Sequence, residues 1–261
     1  MKRSLIEKIP YVLPDSLTRL IAGGRIYDSS CSPEARVYYV EKDGGFYLKR
    51  AERGTLLREC EMYSYFHGMG LAPEVLGYHT GECDWLLTRR AVGEDMLDAR
   101  YLSEPKRLAR LLGEELRRLH EISPVGCPAY TRLTEYCDTV EKNYLSGEYD
   151  KSHFPDSFGY SSAEEAIAVF REGRHLLRQD TLIHGDYCLP NIMLDDWRLS
   201  AFIDLGNAGV ADRHIDLFWG EWTLEFNLGT DEYGDEFFDA YGRDKIDPDI
   251  LRVVAAAEVF G

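Results

Sequence analysis

The chain predicts an α+β protein of two lobes: a small antiparallel β-sheet lobe with one helix, then a larger, mainly helical lobe. Three observations predict it. Up to about residue 90 the apolar residues alternate at strand period, and beyond about residue 95 they recur every three to four positions. The charge is split along the same line. Residues 1–90 carry 13 Lys/Arg against 12 Asp/Glu, whereas residues 91–261 carry 17 against 34, so a net of +1 precedes a net of −17. The expected division is 1–91 and 92–261.

In the first lobe, "ARVYYVE" (35–41) and "GFYLKR" (45–50) flank Lys42-Asp43-Gly44-Gly45, a turn suited to a hairpin. "TLLRECEMYSYFHGMG" (55–70) sets Leu56, Leu57, Cys60, Tyr63 and Phe66 at helical spacing and ends in glycines. Residues 73–90 read as two strands about a Thr80-Gly81 turn. In the second lobe, 105–122 opens with Pro105 and repeats Leu108, Leu111, Leu112, Leu116 and Leu119 on one helical face. Helices are also expected over 131–145, 161–179, 212–226, 231–241 and 249–259, the last with Asp247 as N-cap and Pro248 at its first position. Between them, 181–204 returns to short strands, "TLIH", "NIML" and "LSAFID", with a turn at Asp195-Asp196-Trp197-Arg198.

Composition excludes several classes. At 44% hydrophobic the chain can bury a core, and no run reaches the roughly 18 apolar residues a membrane helix needs. The opening "MKRSLIEKIPYVLPDS" has no apolar signal core. Six cysteines without a C-x-x-C pair indicate neither a zinc site nor a disulfide framework, so reduced thiols and a cytoplasmic location are expected. The acidic second lobe repels nucleic acid and anionic membranes and attracts cations. A monomer or weak dimer is expected.

The residues with chemistry lie in "LIHGDYCLPNIML" (182–194), where His184, Asp186 and Asn191 sit between apolar strand ends. Eighteen residues after Asp186 comes "FIDLG", with Asp204. Each acid alone reads as a turn residue. Together, H-x-D-x-x-x-x-N followed by D-x-G has the spacing of kinase catalytic and metal loops. Phosphoryl transfer needs a carboxylate to orient a hydroxyl and accept its proton, which suits Asp186. It also needs hard oxygen ligands for Mg²⁺, which suits Asn191 and Asp204. His184 reads as a brace for the loop. Lys49, ending "FYLK", resembles the strand lysine that holds ATP phosphates, and Glu59 in the next helix is its expected partner. Ser30 to Ser32 lie where kinases have a glycine-rich loop, and would cradle phosphates with hydroxyls and backbone N–H groups.

"HGDYCLPNIM", "FIDLGNAGVADRHIDL", the ending "AAAEVF" and "SPEARVYYV" resemble motifs of the aminoglycoside 3′-phosphotransferases, a branch of the kinase-like fold. The resemblance runs in order along essentially the whole chain. It implies a two-lobed kinase-like fold, residues 1–91 binding nucleotide and 92–261 carrying catalysis and substrate binding. It implies ATP and Mg²⁺ as cofactors, with transfer of the γ-phosphate to the 3′-OH of an aminoglycoside. It further implies that Tyr47 stacks on adenine, that the backbone of Arg89 and Ala91 takes the base edge, that Ile203 packs beneath the base, and that Ser32 serves the phosphates. For the cationic substrate it points to Glu258, Asp156 and the C-terminal carboxylate near Phe260, with Glu221 and Glu225 as looser candidates. Three positions depart from the pattern: Asn207 replaces an arginine, Asn227 a common carboxylate, and Gly261 extends the chain one residue past the usual terminal phenylalanine. Alternatives are another small-molecule kinase, for choline, a sugar or a macrolide, or a non-catalytic pseudokinase-like module. For choline, Phe218, Trp219, Trp222 and Phe226 would have to form an aromatic cage.

Overall fold

The computed structural model describes residues 3–31, 35–149 and 159–261. The chain forms two compact units: Met1–Glu94 with Met193–Gly206, and Asp95–Ile192 with Asn207–Gly261. By contacts, the segment Met193–Gly206 therefore belongs with the N-terminal unit, although it follows the cut at 91/92 by a hundred residues.

In the first unit the strands are β1 (Ser4–Ile6), β2 (Arg25–Asp28), β3 (Ala35–Glu41), β4 (Phe46–Glu52), β5 (Val75–Thr80) and β6 (Cys83–Arg89). They form an antiparallel sheet in the order β1-β2-β3-β4-β6-β5. The β3–β4 hairpin closes where expected. Asp43, Gly44 and Gly45 all have positive φ (47°, 91° and 103°), and the Gly45 N–H donates to the Lys42 carbonyl at 2.8 Å. Alternation then sorts the side chains. Tyr38, Val40, Phe46 and Leu48 enter one core with Trp85 and Leu87, while Tyr47 and Lys49 face the other way.

Two helices, not one, accompany this sheet. Helix α1 (Asp15–Ile21) buries Leu17 and Ile21 in the first core. With seven residues it offers only one i, i+4 apolar pair, too little periodicity to be read from sequence. Helix α2 (Leu57–Gly68) buries Met62, Tyr63 and Phe66 and carries Glu59. The strand β7 (Glu94–Asp95) lies where the chain passes into the second unit.

The second unit contains α3 (Ala99–Leu102), α4 (Pro105–His120), α5 (Arg132–Ser146) and α6 (Ala163–Gly173), followed by β8 (Thr181–Ile183). β9 (Ile192–Asp195) and β10 (Arg198–Phe202) make a hairpin that returns to the first unit. Its central residues Asp196 and Trp197 both have positive φ (47° and 63°), as a tight primed turn requires. The Phe202 N–H donates to the Leu71 carbonyl at 2.8 Å, and its ring meets Phe66 edge-on. β11 (Gly209–Ala211) pairs antiparallel with β8, Gly209 opposite Ile183. The chain ends in α7 (His214–Leu228), α8 (Gly234–Tyr241) and α9 (Pro248–Glu258), the last capped by the Asp247 side chain.

Leu108, Leu112, Leu116 and Leu119 of α4 are buried, as their spacing predicts. Gly113 is where α4 meets α8. A Cβ there would lie 2.3 Å from the Phe237 carbonyl oxygen, and at Gly220 of α7 one would lie 2.5 Å from the Phe237 ring. Three helices thus converge on one buried phenylalanine. Gly113→Ala should lower unfolding free energy in urea by about 1–3 kcal/mol, the usual cost of overpacking; an unchanged midpoint would show that the helices can separate freely.

Candidate active site

In the second unit, β8 delivers the chain to a loop, residues 184–191, whose conformation is imposed from below. The Asp216 carboxylate on α7 is fully buried. One oxygen accepts from the His184 N–H and the other from the Gly185 N–H, both at 2.7 Å. Gly185 has φ of 81°, and a Cβ there would lie 2.0 Å from the Asn207 carbonyl oxygen, so only glycine fits this bend. The Asp186 N–H turns back to His184 Nδ1 at 3.3 Å, in keeping with a bracing role for the histidine. Asn191 Nδ2 then donates to the Asp186 backbone carbonyl at 3.0 Å and to Asp186 Oδ2 at 2.8 Å. The predicted acid and amide therefore meet directly.

In the first unit, Lys49 Nζ lies 2.8 Å from Glu59 Oε2 and 2.7 Å from Asp204 Oδ1. Asp204 is 155 residues away in sequence, brought here by the β9–β10 hairpin. It holds a positive φ of 59°, and its N–H donates to the Tyr63 hydroxyl at 3.0 Å. Burial works against charge here. It pushes the Glu59 carboxyl up, opposed by the Lys49 ammonium. It also opposes the Lys49 charge, but the Glu59 and Asp204 carboxylates outweigh it and hold the ammonium above its ordinary value. Lys49 therefore stays charged, paired with a buried glutamate and a half-exposed aspartate that has lone pairs to spare.

The base-binding candidates also lie in this unit. Tyr47 shares a strand face with Lys49, and its ring sits 5.4 Å from that of Tyr39. Ala91 and Ile203 come together in an apolar cluster with Met193 and Ala201. The Arg89 N–H is spent on the Glu74 carbonyl at 2.9 Å. The substrate candidates are placed differently. Glu258 is buried, accepting from the Tyr136 hydroxyl at 2.7 Å. The Phe260 ring is fully buried and meets Tyr144 and Tyr149 edge-on. Glu225 is exposed and Glu221 half-buried. Ser32 and Asp156 lie outside the described residues. At Asn207, where an arginine was expected, Arg132 arrives from α5: its Nε donates to the Asn207 carbonyl at 2.8 Å and Nη2 to Asn207 Oδ1 at 3.3 Å. The four α7 aromatics make no cage. Trp222 and Phe226 lie nearly parallel (12°) with centroids 4.8 Å apart, covering one another instead of framing a common void.

The model of the phosphotransferase enzyme family matches residues 33–254. The chain belongs to that family. A probable aminoglycoside 3′-phosphotransferase of Lactococcus lactis subsp. lactis (strain IL1403) is 48% identical over 98% of this phosphotransferase and 96% of its own length. An aminoglycoside 3′-phosphotransferase of Niallia circulans is 29% identical over 79% of each chain. Among solved structures, an aminoglycoside 3′-phosphotransferase of type VIII superposes with a TM-score of 0.78 at 24% identity, covering 95% of this chain and 98% of its own. The fold is accordingly the α+β kinase-like one.

Sequence reasoning missed the residues that hold the phosphotransferase's loop. Asp216 lies inside the quoted string "GVADRHIDL", but no spacing rule marks it as a support. His120 Nε2 lies 3.1 Å from Asp216 Oδ2, and its Nδ1 lies 2.9 Å from the Tyr241 hydroxyl. Burial lowers the pKa of His120, so a neutral ring donates to the carboxylate and accepts from the tyrosine. Thr223 Oγ1 accepts from the Leu189 N–H at 3.2 Å. Asp212, next to β11, is bonded by the His214 N–H, by the His214 ring and by the Arg178 N–H.

Asp216→Ala should cost about 1–3 kcal/mol for each buried N–H it orphans, read from urea unfolding; a shift near zero would mean that the loop finds other acceptors. Burial raises Glu258 to about 7, against the lowering effect of the Tyr136 hydroxyl. A raised folded-state pKa means that the associated stability is present below the ordinary 4.5 and is lost as pH rises through about 7. Glu258→Gln should flatten the pH dependence of stability across that window, and an identical slope in both proteins would refute the assignment.

Proposed function

We propose that this phosphotransferase moves the γ-phosphate of ATP to a hydroxyl of an aminoglycoside, the 3′-OH, and so confers resistance to the antibiotic. The observation that carries the chemistry is the Lys49 ammonium held between Glu59 and Asp204, a phosphate-binding charge beside a carboxylate with spare oxygens. The substrate class rests on the 48%-identical relative and on the charge split, because an aminoglycoside is polycationic and residues 91–261 carry the net −17. A Streptomyces rimosus aminoglycoside phosphotransferase solved with ADP and streptomycin shares the fold (TM-score 0.76).

Residues 1–91 would serve the nucleotide and 92–261 the acceptor. Tyr47 would stack on adenine, with Ala91 and Ile203 supplying the apolar slot and the backbone of Arg89 and Ala91 its polar edge. Lys49, positioned by Glu59, would hold the phosphates. Asp186 would accept the proton of the attacking hydroxyl, and Asn191 fixes one of its oxygens so that the carboxylate is already oriented. Arg132, seated on Asn207, adds positive charge next to the loop. Glu258, buried and with its pKa raised to about 7, would carry negative charge toward a substrate ammonium only above that pH.

Among the described residues no three His, Cys, Asp or Glu side chains could enclose a metal. Mg²⁺ takes one or two protein oxygens and completes its shell with phosphate and water. Asn191 and Asp204 would hold it, and when bound it neutralises phosphate charge. No helix among the described residues is long and apolar enough to cross a membrane.

The test is a turnover panel of ATP with kanamycin, neomycin, a 3′-deoxy aminoglycoside and choline. Turnover of the first two alone supports the reading; turnover of choline alone replaces it. Asp186→Ala should cut kcat by about 10²–10⁴-fold while ATP still binds; normal turnover would remove Asp186 as base. Acceptor affinity should fall as ionic strength rises.

A further inference from the structure

The sheet face that carries Lys49 also carries a row of tyrosines. Tyr27 of β2 stands opposite Tyr39 of β3, and Tyr39 opposite Tyr47 of β4, so the pleat turns all three to one side. Their rings pack in order across the strands. The centroids are 5.9 Å apart for Tyr27 and Tyr39 and 5.4 Å apart for Tyr39 and Tyr47. The outer ring is tied down, its hydroxyl donating to Glu41 Oε2 at 3.0 Å. The middle ring lies directly against Gly45, where a Cβ would come within 2.9 Å of it.

Arg3 lies across this row. Leu5 of β1 pairs with Tyr27, and Arg3, two residues before Leu5, emerges on the same face. Its guanidinium carbon sits over the Tyr39 ring, 3.9 Å from the centroid, and 5.7 Å from the centroid of Tyr47. Its Nη2 donates to the Tyr47 hydroxyl at 2.6 Å. A guanidinium can give its plane to one ring while its edge donates to another group, which the point charge of a lysine cannot do. Left alone, a half-buried ring on a strand would sample more than one χ1 rotamer. The bond at the far end of Tyr47 selects one.

We infer that Arg3 is a positioning residue for nucleotide binding, acting through the Tyr47 hydroxyl to hold that ring in the orientation on which adenine stacks. This rests on the proposed stacking of adenine on Tyr47. It adds a determinant that lies outside every motif carrying that reading, at the start of the edge strand of the sheet. A ring already fixed loses no rotamer freedom when the base arrives, so affinity for the base rises.

The experiment compares wild type with Arg3→Ala, Arg3→Lys, Tyr47→Phe and the double variant Arg3→Ala/Tyr47→Phe. Calorimetry gives Kd for ATP and for adenosine, and turnover gives kcat and KM for kanamycin. Arg3→Ala should raise Kd for ATP by about 3–10-fold and Kd for adenosine by the same factor. Its kcat at saturating ATP and its kanamycin KM should stay unchanged. Because Arg3 is exposed, its substitution leaves the core intact. Arg3→Lys should not restore either Kd. Tyr47→Phe keeps the ring but loses the bond, so it should weaken both ligands. The double variant should bind no more weakly than the weaker single variant. If wild type binds ATP and Arg3→Ala binds it equally well or more tightly, the inference is wrong and the kinase reading stands. If ATP weakens while adenosine does not, Arg3 acts as a charge on the phosphates and the inference is again refuted. Full recovery with lysine, or additive losses in the double variant, would show that the bond to Tyr47 is not the device. If wild type binds ATP but not adenosine, base stacking on Tyr47 falls and the role of Arg3 with it. If wild type binds neither, the nucleotide reading falls as well.

Discussion

The buried carboxylate of Asp216 is the constraint from which the second unit's chemistry is built. A charge without access to water is tolerated only when its lone pairs are filled, and here they are filled by the backbone of His184 and Gly185 and by the ring of His120. Burial of the charge and the bend of the loop thus require each other. The bend admits only glycine at 185, because the Asn207 carbonyl lies against it. It turns the Asp186 side chain toward Asn191. The geometry around Asp186 is a consequence of satisfying one acid in the core.

The first unit solves a different problem with the same chemistry. Lys49 needs to remain charged though largely buried, and a single glutamate would merely neutralise it. With Glu59 on one side and Asp204 on the other, the ammonium is over-compensated. The excess negative charge sits on Asp204, the more exposed partner. That arrangement would suit the proposed metal ion and polyphosphate, since each arriving charge would find its opposite already in place. The left-handed backbone of Asp204, held by the Tyr63 hydroxyl, shows local strain spent on aiming that carboxylate.

Helix α7 supports the loop along one of its faces. Its loop-facing row holds the backbone around Asp186, and its neighbouring aromatic row packs ring on ring. In sequence these rows interleave, "DLFWGEWTLEFN", and the aromatics look like ordinary core spacing. Phe218, Trp219 and Trp222 do pack on the core, whereas Phe226 is exposed.

The sequence by itself determined those features that depend on local chemistry and short spacing. The hairpin turns at 42–45 and 195–198 follow from turn residues, the burial of α4 follows from leucine period, and the meeting of Asp186 with Asn191 follows from four intervening residues in a tight loop. The pairing of Lys49 with Glu59 was legible as a strand followed by a helix. Only the tertiary structure decided the rest. Short α1 lacked the periodicity to announce itself. Met193–Gly206 joins a unit a hundred residues upstream because Phe202 and Asp204 find partners on Leu71, Phe66 and Tyr63. Phe260 is buried, and its ring meets two tyrosines edge-on. Asp216, His120 and Tyr241 form one network across separations of 96 and 121 residues. No local rule reaches that far. Spacing in a chain constrains what lies within a few turns, whereas the partner of a buried polar group is chosen by whatever folding brings within hydrogen-bond distance.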